Sequence, residues 1–525
     1  MKKEKSQSFS KFGFIISAFG SSIGLGSIWR FPTIMAQSGG GAFLIPFVIS
    51  MVICGIPILM FELNVGNKFR RVQVDIFDRL YGKKGRFFGY FYPTLSFLVA
   101  AFYVIIIGWV LIQIVISFSN SLLFSSILNF PSKLSTGSDF GTPNLWVVLA
   151  LVFILSFVIF VSLMGLRKGI EKLNKILIPL LFIILMTLMF YCMTLDGASI
   201  GLNKMWEPDW SQLKETKVWT NAFSQSFFSL SIAMGTMMYF SSRTKKAQDN
   251  NNSAFVVALP LVLISIMAGM MNFSALGFLA KNSNQTIDEI IKLNPGPSLI
   301  FETFPEIFKQ IGVQTHIVFG QLLSVLFYLA LFSAGTMTLI ALVEVTNGNI
   351  LAKTKLNRKA NTLIWVALLF FAAFVYTFRG GSYLIDGVDI WVNNIWLFAM
   401  AITEICLILL TIKHWRVKIN PEWTAILAVS NQNSWIKIGR KYTILLLTGA
   451  FILFVMVFFK FYEFFSTVIN NPENTLIPYV YFGLPMGLGL QIIIPTILTF
   501  KDNIKRIFLR QKKPKEIFNE KKAEI

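Results

Sequence analysis

Gly20, Ser21, Ser22, Gly24, Gly26 and Ser27 crowd into eight residues of an otherwise apolar run, FGFIISAFGSSIGLGSIWRFP. Glycine costs about 1 kcal/mol against alanine in a helix interior. Three glycines with three serines therefore predict that a helix opens there. An opened helix leaves free N–H groups on one half and free C=O groups on the other. The N–H end attracts a carboxylate. The C=O end suits a small cation or an ammonium group. A second run, NAFSQSFFSLSIAMGTMMYF, repeats the pattern more weakly with Ser229, Ser231 and Gly235. Small residues also serve close helix packing. The second broken run, and Arg30-Phe31-Pro32 directly after the first, favour a binding site.

Covalent chemistry finds no support. No nucleophile–base pair, metal-ligand cluster or phosphate loop is present. Cys54, Cys192 and Cys406 lie scattered in apolar segments and read as buried thiols. His316 and His414 are far apart and have no partner that suggests catalysis.

The elements that must position the breaks follow from composition. The 525 residues are 55% hydrophobic and 14% charged, with 53 Phe. A soluble domain carries about 25% charged residues, so lipid is the natural solvent. The net charge of +21 sits in short clusters between apolar runs, unlike a nucleic-acid surface. A bilayer core of about 30 Å needs about 20 apolar residues per helix. Twelve segments qualify: 12–36, 41–66, 88–122, 145–165, 171–195, 217–241, 253–280, 317–351, 361–378, 388–412, 441–463 and 475–500. Spans this long are helices, because every backbone group must be satisfied in lipid.

Most of the 47 Lys and Arg fall in the N-tail, in the loops on its side of the membrane and in the C-tail. The positive-inside rule then predicts both termini in the cytoplasm of a multi-pass plasma-membrane protein, and the even number of spans agrees. No cleavable signal is evident. The parts are a tail at 1–11, a first set of five spans at 12–195, a second at 217–413, a pair at 441–500 and a basic tail at 501–525. Spans 1 and 6 open the two five-span sets and enter from opposite sides. Interrupted spans at matching positions point to an inverted-repeat transporter with its site at the midplane. The loop 281–316 reads as short helices split by Asn-Pro-Gly-Pro at 294–297, either a lid or an ordinary packed loop.

The motifs SSIGLGSIWRFP (21–32), GGGAFLIPF (39–47), GIPILMFELNVG (55–66), AFYVIIIGW (101–109), SQSFFSLSIAMG (224–235) and DGVDIW (386–391) resemble the neurotransmitter:sodium symporter family over about 12–500. The resemblance implies an all-α membrane protein of twelve helices, a leucine-transporter-type 5+5 inverted repeat with discontinuous helices 1 and 6. It implies an amino-acid substrate with its carboxylate on the backbone of Gly24, Leu25 and Gly26 and on the Tyr103 hydroxyl. Ser231 and the carbonyls around Ser21, Ser22, Phe228 and Ser229 would take the ammonium. Val99, Met234, Thr338 and Leu342 would line the side-chain pocket. Gly24 stands where amine carriers place an acid, which favours a whole, neutral amino acid. Arg30 and Asp389 match the outer ion-pair gate, with Tyr103 and Phe228 as the aromatic lid beneath it. Glu62 and Glu404 match family acids and read as structural.

The ion sites depart from the pattern. Sodium is the implied coupling ion. The first site keeps Ser22 and Ser229, but Ser27 replaces an Asn and Leu261 an amide. The second keeps Gly20, Ile23, Ala334 and Thr338, with Met337 where an oxygen is usual. Gln225, Ser229 and Ser265 fit a chloride site, but Phe47 replaces a Tyr. At the inner gate Ser8 replaces a Trp, Arg243 a Tyr and Ala352 an acid, while Lys5 keeps the base. The function implied is sodium-coupled import of a neutral amino acid by alternating access. A proton-coupled or uncoupled carrier, or a non-transporting amino-acid sensor on the same scaffold, remains open, as do the identity of the amino acid and the oligomeric state.

Overall fold

The computed structural model describes residues 8–118, 141–244, 248–293, 299–409, 426, 434–470 and 490–501. Within them the chain is helical, with isolated bridges at Gly40–Pro208 and Pro143–Phe378. In order, the helices are α1 (Lys11–Ser22), α2 (Gly26–Gln37), α3 (Gly41–Phe69), α4 (Gln73–Ser117), α5 (Leu145–Gly165) and α6 (Lys172–Met193). They continue as α7 (Ala198–Trp206), α8 (Thr216–Leu230), α9 (Thr236–Ser242), α10 (Asn250–Ser283), α11 (Ile287–Leu293) and α12 (Phe304–Gln314). The last are α13 (Ile317–Leu351), α14 (Arg358–Phe374), α15 (Gly381–Trp391), α16 (Leu397–Leu409), α17 (Arg440–Asn470) and α18 (Leu490–Lys501).

Seven helical stretches among the described residues are long and apolar enough to cross a bilayer, and α1 with α2, bent by 50°, makes an eighth. Their outer faces carry exposed Phe153, Phe160, Ile183, Leu263, Phe371, Phe451 and Phe458. Such apolar surface belongs against lipid chains. The last predicted span, 475–500, lies largely outside the described residues, as do the Asn-Pro-Gly-Pro turn, the N-tail with Lys5, His414 and most of the C-tail.

Two boundaries differ from the sequence reading. Span 10 starts at Gly381 rather than 388, runs through a π-turn at Val392–Trp396 and continues as α16. Asp386 and Asp389 depress the local hydropathy and hide that first turn. In α4, Gly82 at φ 63°, ψ −139° separates a short leading helix from the span proper.

The breaks fall where glycine and serine cluster. α1 begins at Ser10, whose hydroxyl accepts the Gly13 N–H at 2.9 Å, a standard N-cap. It ends at Ser22, Ile23 leaves helical backbone, and α2 starts three residues later. α8 ends at Leu230, and Ser231 (φ 50°), Ala233 (φ 62°) and Gly235 (φ 78°) take left-handed backbone before α9. Glycine adopts this conformation freely, whereas serine and alanine do so at a cost.

Opened backbone inside a membrane must find partners. Around span 6 it finds side chains from other helices. Ala233 N–H donates to Glu62 at 2.5 Å. The Met234 carbonyl accepts from the Ser96 hydroxyl at 2.7 Å, and that of Gly235 from Gln73 Nε2 at 2.5 Å. α13 packs along α4 and against α12, forming the wall that the two breaks face.

Candidate functional site: a cavity between two helix breaks

The two breaks meet. Ser231 Oγ, on the second, donates to the Ser21 carbonyl on the first at 2.7 Å. Thr338 Oγ1, from α13, donates to the same carbonyl at 3.1 Å. Ser22 Oγ reaches the carbonyls of Ala18 (3.0 Å) and Leu230 (3.4 Å). Gln225 Nε2 donates to the Gly26 carbonyl at 2.8 Å and to Ser229 Oγ at 2.9 Å.

A narrow cavity lies between them, with about 10 Å³ of free space in this conformation, no more than one water needs. Ser22, Gly24 and Gly26 floor it, and Tyr103, Ser229, Ser231 and Thr338 bring hydroxyls. Val99, Phe228, Met234 and Leu342 supply its apolar walls. Of the sequence-predicted substrate residues, Ser21 and Leu25 stand just behind this lining. The Leu25 N–H donates to the Tyr103 hydroxyl at 2.9 Å. A Cβ on Gly24 would meet Tyr103 Oη at 2.9 Å and Thr338 Oγ1 at 3.0 Å. One on Gly26 would run into the Phe228 ring. Glycine is therefore what lets the backbone approach a ligand here. Among the described residues, no charged side chain lines the cavity.

The outer gate residues are near one another but not paired. Arg30 and Asp389 interact electrostatically, yet no nitrogen–oxygen contact within 4.0 Å joins them. Arg30 instead lies over the Phe228 ring, 5.2 Å from its centroid, and its Nη1 is buried without a hydrogen-bond partner. Asp389 Oδ1 accepts from Asn393 at 2.6 Å.

The opposite end of the site is shut, by Arg243, which the sequence reading named, together with residues it did not single out. Phe9 is buried, with its ring 5.3 Å from Phe240 in an edge contact, and its N–H donates to the Arg243 carbonyl at 3.1 Å. Arg243 in turn covers Tyr239 at 5.3 Å. Glu171 takes the Ser10 hydroxyl at 2.6 Å and Lys175 at 2.8 Å, fixing the start of α1. Glu344 pairs with Arg358 at 2.8 Å. The aromatic expected near Ser8 is thus supplied one residue later, and Arg243 closes the face by stacking on its neighbour.

The candidate ion ligands divide. Gly20 has Met337 for a neighbour, the thioether standing 3.2 Å from where a Gly20 Cβ would be. Thr338 turns its hydroxyl to Ser21 and, at 3.4 Å, to the Ala334 carbonyl. Ile23 is buried at the break. Ser27 Oγ is buried and unpartnered, which marks a polar group in need of a ligand or water. Leu261 is buried and apolar. Ser265 Oγ donates to Leu261 O on its own helix at 3.0 Å, and Phe47 belongs to a ring cluster with Phe31 and Phe43.

A wider, open recess sits among Gln37, Lys204, Glu207, Asp209, Asp288 and Lys292. Its Lys204–Asp288 pair at 2.7 Å is exposed on both sides, so it contributes little.

Comparison with known proteins shows the family and the fold. The profile of the sodium:neurotransmitter symporter family matches residues 5–136 and 131–504. An uncharacterized sodium-dependent transporter of Methanocaldococcus jannaschii is 32% identical over 403 residues, 75% of this chain and 80% of that protein. A similar Bacillus subtilis protein is 30% identical over 358 residues, 68% of this chain and 76% of its own. The crystal structure of MhsT in complex with L-phenylalanine superposes with a TM-score of 0.72 at 26% identity, covering 87% of this chain and 99% of MhsT. The chain is a multi-pass membrane transporter, not an enzyme, and belongs to the sodium:neurotransmitter symporter family.

Proposed function

We propose that the protein imports a neutral amino acid with an apolar side chain, driven by sodium, through alternating access at the cavity between the two breaks. One observation carries this reading. The Leu25 N–H and the Tyr103 hydroxyl meet at the first break, and the Ser21 carbonyl and the Ser231 hydroxyl meet where the two breaks join, both beside the same cavity. A zwitterion needs both, because free N–H groups suit a carboxylate and free carbonyls an ammonium. The absence of a charged lining residue disfavours a charged side chain, and the contact made by a Gly24 Cβ leaves no room for an acid that would pair a lone amine. Val99, Phe228, Met234 and Leu342 offer apolar contact for an aliphatic or aromatic group. The phenylalanine bound by MhsT supports the same class.

Under this reading residues 12–195 and 217–413 are the two inverted halves, rocking about the breaks, with both termini cytoplasmic in the plasma membrane. Sodium coupling is supported by the family. The ligand set is thin, with Met337 and Leu261 bringing no oxygen, so one ion is the simplest stoichiometry. The same two residues favour a second reading, a proton-coupled or uncoupled carrier. Ser265 turned to its own helix and Phe47 inside a ring cluster argue against a chloride requirement.

Uptake of labelled neutral amino acids into proteoliposomes tests this. An inward sodium gradient should raise the initial rate severalfold, and replacing chloride by gluconate should leave it unchanged. Equal uptake with and without the gradient overturns the sodium claim. Binding without flux overturns the transport claim and leaves a sensor.

A further inference from the structure

We propose that Gln73 is a positioning residue for the substrate cavity, its carboxamide clamping the span 6 break at Gly235 to α13. Gln73 opens the short leading helix of α4 and is fully buried. Its Nε2 donates to the Gly235 carbonyl at 2.5 Å. Its Oε1 accepts from Asn349 Nδ2, on α13, at 2.7 Å. Gly235 ends the left-handed turn that begins at Ser231. Its carbonyl also takes the Tyr239 N–H, at the start of α9, at 2.9 Å.

The leading helix is a fixed base for this clamp. It folds back on the span at Gly82, and Gly85 and Gly89, one helical turn apart, seat it. A Cβ on Gly89 would stand 2.6 Å from the Val74 Cα, and one on Gly85 would run into the Phe77 carbonyl. Glycine at both places lets the two backbones touch. α13 holds the same helix from another side. The Val74 N–H donates to Asn349 Oδ1 at 3.3 Å, and Lys353, just past α13, pairs with Asp75 at 2.6 Å.

Two backbone groups decide which way the clamp faces. An amide side chain offers one carbonyl and one NH₂. Asn349 Oδ1 takes the Val74 N–H, and Nδ2 donates to the Val345 carbonyl at 2.8 Å, so its orientation is set. The other N–H of Nδ2 must meet an oxygen. Gln73 therefore turns Oε1 to Asn349 and its own NH₂ to Gly235. The turn it grips carries Ser231 and Met234, which line the cavity. Ser231 reaches across to Ser21, and the Met234 carbonyl is held by Ser96, also on α4. Loosening the Gly235 end frees this turn and blurs both lining residues. The effect on ligand binding rests on the amino-acid reading of the cavity, whereas the clamp itself does not.

Amide hydrogen exchange on the purified full-length protein, with equilibrium binding of neutral amino acids beside it, tests the clamp. Gln73→Met keeps the length of the side chain and removes both polar ends. Exchange in residues 231–240 should rise about fivefold, the size expected for one hydrogen bond, while exchange in α5 stays at the wild-type rate. Amino-acid affinity should fall severalfold. Asn349→Leu, which leaves Gln73 in place without its partner, should have the same local effect. The double variant should exchange no faster than either single one, because the two side chains act as one unit. Unchanged exchange in 231–240, an equal rise in α5, unchanged affinity or additive effects in the double variant overturn the proposal. If Gln73→Met fails to fold, Asn349→Leu decides alone by the same local rise, and its absence overturns the proposal. If the wild-type protein binds no amino acid while exchange behaves as expected, the clamp stands and the amino-acid reading falls.

Discussion

Ser231 and Ser21 are 210 positions apart in sequence, and the hydroxyl of the first donates to the carbonyl of the second at 2.7 Å. The bond ties one opened helix to the other. Thr338 adds a second hydroxyl to the same carbonyl, so a single backbone oxygen joins spans 1, 6 and 8. Ser231→Ala removes one tie and leaves alanine at a positive φ. A typical hydrogen bond contributes about 1 kcal/mol net, so amino-acid affinity should fall about fivefold in equilibrium binding with purified protein. Unchanged affinity would show that the tie does not shape the site.

Tyr103 brings its hydroxyl to the first break. In the present conformation it accepts the Leu25 N–H, and a bound carboxylate is expected to draw on both groups. Hydrogen bonds to charged groups contribute about 1.5–3 kcal/mol. Tyr103→Phe should weaken amino-acid binding at least tenfold while moving the melting temperature of the ligand-free protein by only a few degrees. A loss of affinity matched by a collapse in melting temperature would mean that the residue is structural.

The positions of the breaks were legible because glycine punctuates a helix whatever surrounds it. Gly24, Gly26 and Gly235 all lie at or beside an opening. The left-handed turns at Ser231 and Ala233 were not legible. Locally both residues accept a helix, and the turn is fixed by donors and acceptors that arrive from Ser21 and Glu62 in distant segments. Most of the residues lining the cavity, Ser22, Gly24, Gly26, Tyr103, Phe228, Ser229, Ser231 and Met234, lie inside the quoted motifs, whereas Val99, Thr338 and Leu342 lie outside them. The gates could be read only as residue types. Arg30 and Asp389 announce a charge pair, yet in this structure Arg30 lies over Phe228 and Asp389 accepts from Asn393. Phe9 is one aromatic in a chain of 53 Phe, and nothing local distinguishes it from a lipid-facing ring.

Met337 offers a gain-of-function test of the ion reading. It lies beside Gly20, on the helix that also supplies Ala334 and Thr338. Hard cations prefer several oxygen ligands, and a thioether does not serve. Met337→Thr adds a hydroxyl at this place. If sodium binds among Gly20, Ile23, Ala334 and Thr338, the half-saturating sodium concentration for uptake should drop severalfold. A sodium dependence unchanged by the substitution would place the coupling ion elsewhere.

Phe9 should hold the inner face shut. Its ring packs on Phe240, its N–H is tied to the Arg243 carbonyl, and Ser10 beside it is anchored by Glu171. A buried Phe→Ala change typically costs about 3–5 kcal/mol when the whole fold depends on it. Under alternating access the same contacts would be made in one transport state and given up in another. The cost therefore falls on the equilibrium between states, and the inner-open form gains population. Ser17, on the buried face of α1 with an unpartnered hydroxyl, is a reporter for this shift. In a background with Cys54, Cys192 and Cys406 replaced by alanine, Ser17→Cys should react slowly with a membrane-impermeant thiol reagent supplied from the face that carries Phe9. Adding Phe9→Ala should raise that rate at least tenfold and lower steady-state accumulation of substrate. Equal labelling rates with and without Phe9 would assign the closure to the Glu344–Arg358 and Arg243–Tyr239 contacts instead.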